Sequence, residues 1–208
     1  MRARLTARLM LPALALALTT APLAAQDSAE VDAVADVVRA SDTASVTGAL
    51  NLDFGTIAIP RESAATCLYQ VNPSGGSGVS LRVEQTGGPS GGSVSNPTPD
   101  GCSISGTQTT AEFFISCQQA GPVLVQPTLQ VPANQGVRME RLTGMSIVAP
   151  NGTIQTFDPG NIGGGAPLNC PATPGDFRVR LGGEASVRGF DQPQPNLNIG
   201  RVRIDLNY

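Results

Sequence analysis

The chain ends Gly200-Arg201-Val202-Arg203-Ile204-Asp205-Leu206-Asn207-Tyr208. Val202, Ile204, Leu206 and Tyr208 fall on one side of an extended backbone, and Arg201, Arg203, Asp205 and Asn207 on the other. That period of two is the pattern of a half-buried strand, here running to the last residue. The same period recurs upstream. Phe177, Val179 and Leu181 alternate with Arg178 and Arg180, and Ala185 and Val187 follow the Gly182-Gly183 pair. Met145 to Val148 and Ile154 to Phe157 flank Pro150-Asn151-Gly152, the chemistry of a hairpin turn.

Further toward the N-terminus, strands are expected over Val123, Val125, Leu129 and Val131, and over Phe113 to Cys117. Pro122, Pro127 and Pro132 place the first of these at an edge or at bulges. Val79, Leu81 and Val83 form another alternating set, as do Ala65, Cys67, Tyr69 and Val71. Leu50, Leu52 and Phe54 alternate with Asn51 and Asp53, and Ile57 and Ile59 continue beyond Gly55. Most of residues 72–101 and all of 158–175 are rich in Gly, Pro and Ser and read as long exposed loops. About ten short strands, with no helix pattern after residue 45, predict an all-β, antiparallel β-sandwich, with a barrel as the alternative. Leu, Val, Ile and Phe must supply the core, because the chain has no Trp and only 4% aromatics.

The N-terminus reads differently. Arg2, Arg4 and Arg8 precede the apolar run Leu9 to Leu18, and small residues follow up to Ala25. That order of charge, apolar stretch and small-residue exit is a secretory signal peptide over residues 1–25. The run is too short to span a bilayer, which takes about 20 apolar residues. No integral membrane segment is expected in the mature chain. Residues 26–45 form an N-terminal tail with two readings. Val31, Val34, Ala35 and Val38 share a helical face, whereas Val31, Ala33, Ala35 and Val37 alternate as a strand. The sandwich domain is expected over residues 46–208.

All 13 basic residues are Arg. Loss of residues 1–25 leaves 10 Arg against 16 acids, a net charge of −6. Such a surface repels nucleic acid. The absence of His removes a Ser-His-Asp triad and imidazole metal ligands. The absence of Lys removes Schiff-base and P-loop chemistry. Paired carboxylates could still hydrolyse glycosides. Asp53, Glu62, Glu84, Glu112, Glu140, Asp158, Glu184 and Asp205, however, are scattered singly and read as solvated strand faces. Gly75-Gly76-Ser77-Gly78 and Gly163-Gly164-Gly165 lack the strand-to-helix context of a phosphate cradle. No catalytic residue, cofactor or metal site is expected, and no enzymatic activity.

Cys67, Cys102, Cys117 and Cys170 are even in number, and in an exported chain they predict two disulfides. Pairing Cys102 with Cys117 would staple one hairpin and leave Cys67 for Cys170. Pairing Cys67 with Cys102 and Cys117 with Cys170 would tie both long loops to the core. The second arrangement is preferred, because those loops otherwise lack apolar anchors.

Three stretches together resemble one family. Leu52-Asp53-Phe54-Gly55-Thr56-Ile57, Leu181-Gly182-Gly183-Glu184-Ala185-Ser186-Val187 and Gly200 to Tyr208 are similar, in order and spacing, to motifs of the bacterial "domain of unknown function 4402" proteins. The chain departs from their pattern in its four Cys and in Asn198-Ile199 before the last strand. The resemblance implies an immunoglobulin-like sandwich and an exported, fimbria-like surface protein with no catalytic residues to carry over. The expected function is a structural or adhesive subunit at the periplasm or cell surface. A monomeric periplasmic binding module is the alternative, and a carboxylate-based hydrolase comes third. Val202, Ile204, Leu206 and Tyr208 are the expected contacts for a periplasmic chaperone or a like subunit, through strand addition.

Overall fold

A computed structural model describes residues 44–132, 136–158, 160 and 165–208. The signal peptide and nearly all of the tail, residues 1–43, lie outside the described residues. Thirteen strands follow in chain order, with no helix among the described residues. They are β1 (Ala44–Leu50), β2 (Thr56–Ile57), β3 (Thr66–Ser74), β4 (Gly78–Thr86), β5 (Ser93–Val94), β6 (Ile104–Ser105) and β7 (Ala111–Cys117). Then come β8 (Gly121–Gln130), β9 (Arg138–Val148), β10 (Ile154–Phe157), β11 (Ala166–Cys170), β12 (Gly175–Arg188) and β13 (Arg201–Asn207). All pairings are antiparallel, and the sheets do not close. The fold is an antiparallel β-sandwich rather than a barrel.

The large sheet is organised by β12, its longest strand. On one side β9 runs along most of it. On the other side β7 pairs with Gly175–Leu181 and β3 with Gly183–Arg188. The sheet therefore forks at Gly182, with one branch continuing to β1 and the other to β4 and β5. The alternating residues 177–181 and 185–187 lie on one strand, which Gly182 and Gly183 continue through the fork. A Cβ on Gly182 would collide with the Val71 carbonyl and lie 2.8 Å from Asn72 Cα, so β3 crosses at this point against bare backbone. Beyond it the β3–β4 hairpin tip leaves the sheet plane. Asn72 accepts a hydrogen bond from Thr143 Oγ1 on β9, and Gly76 approaches Ile154 on β10.

Two apolar clusters fill the sandwich. The first joins Ile115, Met145, Ile147, Val179 and Leu181 of the large sheet to Val123, Val125, Leu168 and Ile204 of a second sheet, ordered β11-β8-β13. The second gathers Tyr69, Val71, Val83, Ala185 and Val187 beneath Phe54 and Ile104, beside the β2–β6 ribbon. Each disulfide joins two layers or segments. Cys117–Cys170 links β7 to β11, and Cys67–Cys102 links β3 to the segment before β6.

Several local expectations change. The described residues open with β1 at Ala44, which is already buried, two residues before the expected start of the sandwich domain. The loop expected at 158–175 contains β11, in which Ala166, Leu168 and Cys170 point inward. Pro167 and the preceding Gly run obscured that alternation. Pro122 and Pro127 lie in the middle strand of the second sheet, not on its edge. Each is tolerated because β8 is paired on one side only there: β11 reaches residues 121–125 and β13 reaches 124–130.

The loop expected at 86–101 is mostly exposed, as read, and is tied down by polar bonds at several points. Buried Gln85 donates to Asp100 Oδ2 and accepts from Asp100 N. Asn96 exchanges two bonds with Ile104, and Cys102 N donates to Thr98 Oγ1 at 3.0 Å.

Tyr69 is fully buried and donates its hydroxyl to the Ala58 carbonyl. Burial pushes its pKa from 10.0 up to about 12. The neutral form is thus favoured by folding. Its contribution is full below pH 10 and disappears as pH rises from 10 through 12. Two pKa units correspond to about 3 kcal/mol. Denaturant titrations at pH 9 and pH 12 are expected to differ by that order in the wild type and by less in Tyr69→Phe. An equal loss in both proteins would reject the assignment.

Candidate functional site

The terminal strand and the first strand meet along one side of the sandwich. β13 pairs with β8 alone, from Arg201 opposite Gln130 to Asn207 opposite Leu124. β1 pairs with β7 alone. Among the described residues, neither has a strand partner on its other edge. The two are bridged where the Tyr208 hydroxyl donates to the Ala44 carbonyl. The result is a seam between two strands that, among the described residues, are each paired on one edge only.

The four expected contact residues behave unequally. Ile204 is 3% exposed and belongs to the first cluster. Val202 and Leu206 are half-buried against the same cluster. Tyr208 is 59% exposed around its bridging hydroxyl. Three of the four side chains are therefore used by the chain's own core, because β13 faces inward across the sandwich. Among the described residues, the outer backbone edge of β13 carries no strand, and Tyr208 keeps more than half of its surface exposed beside its bond to Ala44. On the opposite face of β13, Arg203 and Asp205 pair at 2.6 Å. Asn207 Nδ2 donates to Gln126 Oε1 on β8 at 3.0 Å.

The carboxylates are spent on local partners. Glu184 accepts two bonds from Arg141, at 3.1 and 3.0 Å, and one from Gln70. Glu140 pairs with Arg138 and accepts from Ser186. The Ser186 hydroxyl is the main reason that the Glu140 carboxyl titrates below its ordinary value. Glu84 pairs with Arg82, and Asp53 accepts from Gly55 N. Glu112 lies 3.9 Å from both Arg178 and Arg180. Those of Glu184, Glu140, Glu84 and Glu112 form a polar layer over the outer face of the large sheet. Among the described residues no group of three His, Cys, Asp or Glu converges as a metal set would.

Two depressions are best formed. One, of about 120 Å³, lies between the β9–β10 hairpin and β11 and includes Ile147, Leu168 and Phe177. The other, of about 260 Å³, is open and lined by residues such as Val131, Pro132 and Gly200. Both fall below the ~300–1,000 Å³ of ordinary small-molecule sites.

Sequence reasoning missed the outer-face burial of Arg180 and Glu184, since alternation assigns both to solvent. The neighbouring Gly182-Gly183 was the available signal, because paired glycines in a strand mark a close backbone approach. Comparison of the chain with protein-family models, with curated proteins and with solved structures finds no match.

Proposed function

We propose that the mature chain is a non-catalytic, exported structural or adhesive subunit. In this reading it joins like subunits, or a periplasmic chaperone, by strand addition at the β1/β13 seam. The observation that carries the proposal is that β1 and β13 lie beside one another and, among the described residues, each pairs with a strand on one edge only. An exposed edge offers backbone hydrogen bonds to an added strand. The preceding segment carries a strand-like set in Val31, Ala33, Ala35 and Val37, and its other side includes Glu30, Asp32 and Asp36. The resemblance to the bacterial surface family supports the same reading, as does the signal-peptide pattern of residues 1–25. The two disulfides fit an oxidising compartment. Periplasm or cell surface is the proposed location.

Deleting residues 26–43 from the mature chain tests the proposal. The deletion must stop before Ala44, which is buried in β1. Light scattering should find oligomers or chaperone complexes for the full mature chain. The deleted form should be a folded monomer without free thiols. If the deleted form assembles equally well, residues 26–43 are not the added strand. If the full chain stays monomeric and captures no chaperone, the monomeric binding module replaces the subunit reading.

A further inference from the structure

Arg180 lies on the face of the large sheet turned away from both apolar clusters, yet only 3% of its surface is exposed. The reason is the β3–β4 turn above it. Arg180 Nη2 donates to the carbonyl oxygens of Ser77 at 3.1 Å and Gly78 at 2.8 Å. Its Nε faces Glu112 Oε2 at 3.9 Å. Its Nη1 is buried without a partner. In register across β9, Ser146 is 2% exposed, and its Oγ is also without a partner.

Residues opposite one another in an antiparallel pair share a face, with Cβ atoms about 5 Å apart. The two unpaired atoms thus belong to one small, covered region between β12, β9 and the turn. Buried polar groups in folded proteins nearly always have a partner, either protein, water or ion. The two turn carbonyls fix the guanidinium through Nη2, which keeps Nη1 from swinging freely to find one. Charge indicates the kind of partner. Glu112 shares one negative charge between Arg178 and Arg180, both at 3.9 Å, so the cluster keeps an excess of positive charge.

The geometry points to an enclosed site for one small hydrogen-bond acceptor, the size of a water molecule or a halide ion, held between Arg180 Nη1 and Ser146 Oγ beneath the β3–β4 turn. Nη1 donates to the bound species. The Ser146 hydroxyl donates to an anion, or exchanges a hydrogen bond with a water. The occupant also ties the hairpin tip to β9 and β12, since Arg180 holds the tip with its other nitrogen.

Crystals of the full chain grown from sodium chloride and from sodium bromide test this. Density within hydrogen-bonding distance of both atoms is expected in each. A bromine anomalous peak there identifies a halide; density without that peak identifies water. Ser146→Ala, which only removes an oxygen, is expected to lose the density. With a halide occupant it also loses the chloride-specific rise in Tm seen against sodium gluconate at equal ionic strength. A direct hydrogen bond from Arg180 Nη1 to Ser146, or no density in the wild type, overturns the proposal. Density unchanged in Ser146→Ala overturns it as well.

Discussion

Replacing Cys117 and Cys170 together by serine is expected to lower the unfolding free energy by about 4 kcal/mol, and replacing Cys67 and Cys102 by about the same. The bonds close stretches with separations of 53 and 35 residues. In the chain-entropy account, the cost of closing such loops in the unfolded chain grows only with the logarithm of length, so the two values are close. The two stretches follow one another without overlap. Their effects should therefore add approximately. Each bond also holds a contact far apart in sequence. Cys117–Cys170 fastens the two faces of the first cluster, to which Ile115 of β7 and Leu168 of β11 both belong. Cys67–Cys102 fastens the bonded segment 93–102 over the second. Loss of both approaches the whole stability of a typical domain, about 5–15 kcal/mol, and should leave the chain largely unfolded. Urea titrations of the oxidised protein and of each paired variant measure this. A loss below about 1 kcal/mol for either pair would contradict the expectation. Thiol titration of the denatured, unreduced protein should read zero, since no described cysteine is free.

Gly182→Ala should cost about 3 kcal/mol, at the upper end of ordinary overpacking. In thermal unfolding that is a fall in Tm of about 10 °C for a domain of this size. The added methyl meets backbone: the Val71 carbonyl and, at 2.8 Å, Asn72 Cα. Backbone can yield only if β3 lifts off β12. That movement would also disturb the turn held by Arg180 and the Asn72–Thr143 bond. Gly183→Ala is the informative contrast. Its methyl would meet Met139 Cε at 2.5 Å and Leu52 Cδ2 at 2.7 Å, the movable ends of flexible side chains. It should cost less than Gly182→Ala, about 1 kcal/mol. Differential scanning calorimetry of both variants distinguishes the two. If Gly182→Ala melts with the wild type, the close crossing at the fork is wrong.

Much of the fold could be read from local pattern. The period of two at the C-terminus marks β13 and its inward residue Ile204 correctly, because a strand with one buried face must alternate. Asn151-Gly152 marks the β9–β10 hairpin, where Gly152 takes the positive φ of 82° that the turn requires. The preferred Cys pairing is the one the structure carries, although β11 also anchors the Cys170 segment through buried Ala166 and Leu168. Other features were hidden. Strand β11 carries Pro167 and Asn169 on its outward face and follows a Gly run, so composition resembles a loop. Segment 86–101 is mostly exposed, as its composition indicates; what stayed hidden was its tethering by polar bonds, such as Gln85 with Asp100, that leave no hydrophobic period.

The sequence by itself determined the antiparallel β class, the inward and outward faces of most strands, and the absence of His and Lys chemistry. These depend on each residue's own type and on its near neighbours. Only the tertiary structure decided the fork of the large sheet at Gly182, the burial of Arg180 beneath the β3–β4 turn, and the meeting of β1 with β13 at the seam. Each of these arises from segments many residues apart meeting in space. Alternation specifies which side of a strand is apolar, but it carries no information about which strand lies beside it or crosses over it. That choice is made when the two apolar clusters pack and the disulfides close across them.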